Sequence, residues 1–217
     1  MTKSIEKVAT SLVKWLMPFC LLTCVPLLSS CEEDDDDDGD DETEFDNWKE
    51  RNDLAIADWA ADTSLKKVRN YTLNENAPAG NGDYVYVKVL EAGNGIGCPM
   101  LTDSVRIAYR GRLIPSKTYP EGYVFDQSYL NDFSWKTAYP AQFPAPNVVL
   151  ITGLQSALLQ MHIGDRWEVY VPYTLGYGTS NATTSSGVIS VPAYSTLIFD
   201  IRLVAFWRAD GEVPEMK

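Results

Sequence analysis

The residues able to do chemistry in this chain are few in kind. It carries one histidine, His162, so a Ser-His-Asp triad or a histidine-rich metal site is hard to build, and His162 reads as a surface or helix-terminal residue. No glycine-rich phosphate loop is present. Paired carboxylates for glycoside chemistry exist in any acidic chain, but no spacing singles out a pair. Asp34, Asp36, Asp38 and Gly39 match the first half of a calcium loop, yet the twelfth position, where a bidentate Glu is needed, is Phe45. These exclusions imply a function without cofactor or metal. The net charge of −12 argues against nucleic acid, because phosphate binding needs a basic face.

Cysteine chemistry points instead to an anchor. Lys3, Lys7 and Lys14 precede an apolar run, Trp15 to Leu28, of about fourteen residues. That is short of the ~20 needed to span a bilayer and suits a secretory signal. It ends in Leu28-Ser29-Ser30-Cys31, which resembles a bacterial lipobox: small residues before a cysteine whose thiol is acylated and whose amine becomes the new terminus. Cys24 after Thr23 fits less well, and an ordinary cleaved signal is the alternative. With cleavage before Cys31, Cys20 and Cys24 depart, Cys31 carries lipid and Cys98 is left alone, so no intramolecular disulfide forms. Cys98 lies beside Pro99 with no His or second Cys near it in sequence, and reads as structural. Residues 32–44 hold eleven carboxylates and no base, a like-charge block with nothing to bury. Acid-rich stretches after a lipidated cysteine resemble export signals that place lipoproteins on the outer surface in some Gram-negative lineages; a plain solvated tether is the alternative.

The elements that must position any site follow the anchor. Residues 1–30 are read as signal, 31–46 as a lipidated, disordered acidic tether, 47–83 as a helical extension (47–69) and loop, 84–207 as the main domain and 208–217 as a tail. Period-two alternation marks strands at Val105, Ile107 and Tyr109, at Trp167, Val169 and Val171, and at Leu197, Phe199, Ile201 and Leu203. Tyr84 to Leu90 is a further strand. Thr152 with Gln155 reads as a capping box. Leu154, Ala157, Leu158 and Met161 then form one buried helical stripe, with Gly164 as its stop. Residues 129–147 are a long aromatic insertion with its own functional or packing role, and 179–190 a polar loop. Without a βαβ repeat, the class is α+β with an antiparallel sheet.

Residues 148–178 resemble the signature of the FKBP-type peptidyl-prolyl cis-trans isomerases. The resemblance continues in VRIAYRGRL (105–113) with a Tyr-x-Gly turn, in Val124-Phe125-Asp126-Gln127-Ser128, and in VPAYSTLIFDIRLVA (191–205), covering roughly residues 84–206 in the family's order. It implies an FKBP-like antiparallel sheet wrapped around a short amphipathic helix, and an enzyme acting on proline bonds. Carried over by position, Tyr109, Phe125 and Phe199 match the aromatic walls, and Asp126 the acid whose dipole or charge bears on the twisting carbonyl. Leu150 and Ile151 match the pair before the helix, where the Ile amide bonds substrate backbone. Tyr177 matches the loop hydroxyl donor and Val191 an aliphatic wall. Two positions depart from the pattern. The floor, a Trp in the best-known members, is Leu154, which implies a looser grip and weaker macrolide binding. The Phe-x-Phe strand becomes Ala141-Gln142-Phe143, leaving Phe143 with one aromatic partner fewer unless the insertion supplies it. The catalytic set implied is Asp126, Tyr177 and Phe199. The expected partners are proline-containing polypeptides and, through the anchor alone, a membrane. The same fold without useful turnover, a binding module or chaperone at the surface, is the alternative. Client proteins, membrane face and oligomeric state are left open by the sequence.

Overall fold

Alternating apolar positions can bury one face of a strand only if neighbouring strands share that face, and the fold is the solution to this constraint. The computed structural model describes residues 44–130, 132–134, 138–143, 150–208 and 210–215. All belong to one unit, Glu42–Lys217. Its elements are α1 (Trp48–Ala61), β1 (Lys66–Arg69), β2 (Tyr84–Glu91), β3 (Ser104–Leu113), β4 (Val124–Gln127) and β5 (Ala141–Phe143). They continue with α2 (Thr152–Leu158), β6 (Arg166–Val171), β7 (Ala182–Thr183), β8 (Ile189–Val191) and β9 (Leu197–Trp207). The sheet runs β1-β2-β6-β9-β3-β4, with β5 also on β3, and its pairs are antiparallel. This is the α+β architecture read from the sequence.

The long strands β3 and β9 pair along their length, from Ser104↔Trp207 to Leu113↔Leu197. Helix α2 lies across the sheet. Leu154, Ala157, Leu158 and Met161 are buried in one core with Val85, Val87, Val169 and Val171, but not as one helical stripe: Met161 lies beyond the helix, and Gly153, Gln155 and Ser156 are buried as well. Gly153 permits this closeness, since a Cβ there would stand 2.3 Å from Val171 Cγ1. Each leucine so buried contributes about 2 kcal/mol.

The ends of α2 differ from the sequence reading. Ile151, not Thr152, is the N-cap, and no side chain caps it. Gln155 turns its amide to the Leu150 carbonyl instead. The helix ends at Leu158, six residues before Gly164; Gly164 has φ +95 but serves a later turn, its amide donating to Leu203 O at 2.9 Å.

Upstream, the helical reading of 47–69 holds only to Ala61. Lys66–Arg69 forms β1, with Val68 opposite Val85, so the sheet reaches back before Tyr84. Helix α1 packs on the fold through Trp48, Asn52 and Ile56. Asn52, fully buried, donates to Trp48 O at 2.6 Å and accepts from Thr196 N at 2.7 Å, while Trp48 Nε1 donates to Ser195 Oγ at 2.9 Å. A polar residue at the centre of the buried face explains why no apolar stripe was legible. Glu44 also belongs to the fold: its carboxylate accepts from Ser116 Oγ and from Thr118 N, which hold its pKa below the usual carboxylate range. The tether reading therefore fails at Glu44. Cys31, the signal and the rest of the acid block lie outside the described residues. Within 179–190, the polar loop contains the β7–β8 hairpin.

Candidate active site

Strand β3 places Ile107 and Tyr109 on one face, because residues two apart share a side. Next to it β4 presents Phe125 and Asp126, β5 presents Phe143, and β9 presents Phe199. Leu150, Ile151 and Leu154 close the space from the start of α2, and Tyr177 from the loop after β6. Together these ten residues line a cleft of about 210 Å³.

Its aromatic geometry depends on a missing side chain. Gly111 pairs with Phe199 on one side and Asp126 on the other. A Cβ at Gly111 would lie 2.7 Å from Phe125 Cζ and 2.7 Å from Phe199 Cε1. Glycine lets these rings meet edge to face, with centroids 5.7 Å apart at 89°. The Tyr109-x-Gly111 segment, read as a turn, is thus the middle of a ten-residue strand. Its glycine is a packing requirement.

Polar groups gather at the rim. Tyr109 Oη donates to Asp126 Oδ2 at 2.8 Å. Burial, then the bond and charge of Asp126, push the Tyr109 phenol well above its ordinary range, so it stays a donor. Tyr177 is raised as well, by burial and then by Asp126. The Tyr177 side chain is 42% exposed and Asp126 is exposed, whereas Leu154 and Phe199 are each 4% exposed. The walls and floor are apolar and the donors sit at the mouth.

Of the residues named from sequence, Tyr109, Phe125, Asp126, Phe143, Leu150, Ile151, Leu154, Tyr177 and Phe199 converge on the cleft. Phe143 keeps an aromatic neighbour, Tyr109, with centroids 6.1 Å apart. Val191 does not line it. Opposite Ala182 in the hairpin, Val191 is 1% exposed and packed into the main core. Two contributors were missed: Ile107, whose alternation with Tyr109 carried the signal, and Gly111. Elsewhere, Cys98 does have a histidine nearby, Sγ lying 3.7 Å from His162 Nε2; burial pushes the thiol up. Among the described residues no group of three or more His, Cys, Asp or Glu is placed to hold a metal ion.

Residues 98–204 match the model of the FKBP-type peptidyl-prolyl cis-trans isomerase family. They form an FKBP-type domain. The chain is 41% identical over 138 residues to peptidyl-prolyl cis-trans isomerase Mip of Coxiella burnetii, covering 62% of this chain and 50% of that protein. It is 34% identical over 122 residues to outer membrane protein MIP of Legionella longbeachae, covering 56% and 44%. The chain thus spans about half the length of these relatives. A solved peptidyl-prolyl cis-trans isomerase from Pseudomonas syringae pv. tomato superposes with a TM-score of 0.52 at 23% identity, over 75% of this chain and 95% of that one. That likeness concerns fold alone: the FKBP-like sheet around a short helix.

Proposed function

We propose that this chain is a peptidyl-prolyl cis-trans isomerase acting on proline-containing polypeptides outside the cytoplasm. The observation that carries the reading is the convergence of Tyr109, Phe125, Leu154, Tyr177 and Phe199 with Asp126 on one cleft, from segments spread over about ninety residues. The reaction rotates an amide against a barrier of ~18–20 kcal/mol and needs no nucleophile, base or metal. As the bond twists, conjugation is lost and the amide becomes less polar. A dry apolar cleft therefore binds the twisted form better than the planar one, which is catalysis by differential binding. Phe199, Phe125 and Leu154 grip the proline ring. Tyr177 Oη and the Ile151 amide are the donors for flanking carbonyls. Asp126, steadied by Tyr109, faces the carbon or oxygen that moves.

Asp126→Ala should accordingly lower kcat about tenfold while changing peptide affinity less than twofold, read by comparing turnover with direct binding. Equal losses would make Asp126 a shaper of the cleft only.

A second reading, a surface binding module or chaperone without useful turnover, is favoured by Leu154 at the floor, where less bulk holds the ring less tightly. The proposed address is an outer membrane, reached through lipid on Cys31; the lipobox-like sequence and the name of the Legionella longbeachae relative, an outer membrane protein, support it. A Cys31→Ser chain should keep its signal or leave the membrane fraction. Normal processing with unchanged membrane association would rule the anchor out.

A further inference from the structure

The 210 Å³ cleft has room for little more than a prolyl residue, so a polypeptide held there must run out across its surroundings. On the other side of Tyr109 lies a larger groove of about 790 Å³. Tyr109 lines both and is the one residue their linings share. The groove is made where the chain leaves β4 and returns as β5, within the insertion to which the sequence gives a functional or packing role without naming it.

Its base is fixed. Tyr129 is 4% exposed, donates its hydroxyl to Asp200 Oδ2 at 3.0 Å and lies under the Arg110 guanidinium, 4.8 Å from the ring centroid. The Tyr139 amide donates to Ser128 O at 2.9 Å, which ties the segment before β5 to the residue after β4. Its rim is apolar and open: Leu130 is 67% exposed and Tyr139 82%. Exposed apolar side chains gathered on one groove are the kind of surface that marks a binding site. The lining also carries Gln127 and Gln142, amides that can both donate to and accept from a peptide backbone, and Arg106.

We infer that this groove is an extension of the substrate site, taking the stretch of extended polypeptide next to the bound proline and preferring an apolar side chain there. An extended chain advances ~3.3 Å per residue, so the side chain that enters the groove belongs to a residue near the proline and not to the proline itself. The inference rests on the isomerase reading for the location of the proline, and names the class of client: unfolded segments with an apolar residue near proline, in place of isolated X-Pro bonds.

The test uses the full chain and labelled peptides: a tetrapeptide Ala-Leu-Pro-Phe, and the same core extended by five residues at either end, with either alanine or leucine in the extension. Affinity is read by fluorescence anisotropy and turnover by peptide isomerisation. The leucine extension at one end should tighten binding about tenfold over its alanine counterpart, the size expected for burying one leucine side chain. The double variant Leu130→Ser, Tyr139→Ser should abolish that gain and leave the tetrapeptide within about twofold in both readouts. Equal affinities for all peptides, or equal weakening of short and long ones by the variant, would overturn the inference. If the wild-type chain binds the long peptides in this variant-sensitive way but isomerises none, the groove stands and the isomerase reading falls.

Discussion

Phe199→Ala should cost about 3–5 kcal/mol of folding free energy, a large part of the ~5–15 kcal/mol that holds a domain of this size together. Phe199 sits in β9 between Gly111 and Val169, 4% exposed, so its ring is both core and cleft wall. Truncation removes its contacts with Phe125 and leaves a cavity that flanking strands cannot close without breaking their pairing. Thermal or denaturant unfolding measures this. Because the alanine variant confounds stability with activity, Phe199→Leu is the companion. It keeps most of the volume, should cost about 1–2 kcal/mol, and should still lower kcat/KM about tenfold through the lost aromatic edge. A Phe199→Ala chain destabilised by less than about 1 kcal/mol would show that the ring is not packed as described.

Gly111→Val is the second large effect, and it isolates the cleft from the bulk of the core. The added side chain begins 2.7 Å from both Phe125 and Phe199, closer than carbon atoms can approach, so the ring pair must part. Overpacking of this kind costs about 1–3 kcal/mol. Displacing two walls by even ~1 Å should lower kcat/KM about 100-fold, because a cleft without nucleophile or base depends on how closely its walls and donors fit the twisted amide. Peptide isomerisation and binding assays on the folded variant check this. Unchanged kinetics would mean that the Phe125–Phe199 pair is not what grips the proline.

Much of the fold was legible because burial imposes a period. The alternating residues at 105–109, 167–171 and 197–203 and the apolar Leu154, Ala157, Leu158 and Met161 require buried faces, and all of them are buried but Tyr109, which is half-buried at the cleft. Legibility failed where a local rule competed with tertiary context. Lys66–Arg69 buries one side chain fully, Val68, which is too little for a pattern. Tyr109-x-Gly111 carries a turn residue, yet its glycine serves two rings brought in from β4 and β9. The Thr152/Gln155 spacing offered a cap that α2 does not form. For the cleft, the residues came from a resemblance in order and spacing, while their convergence came from the fold. Val191 departs from that set because the β7–β8 hairpin buries it in the core, and Glu44 departs from its acidic run because Ser116 and Thr118 stand opposite its carboxylate.

The most direct measurement of the central claim is a protease-coupled isomerisation assay of the full chain with a short X-Pro peptide. Uncatalysed exchange takes tens of seconds. The expected result is a relaxation rate that rises in proportion to protein concentration and is lost in Gly111→Val. A rate equal to that of peptide alone, with measurable binding of the same peptide, would contradict the isomerase and leave the binding module.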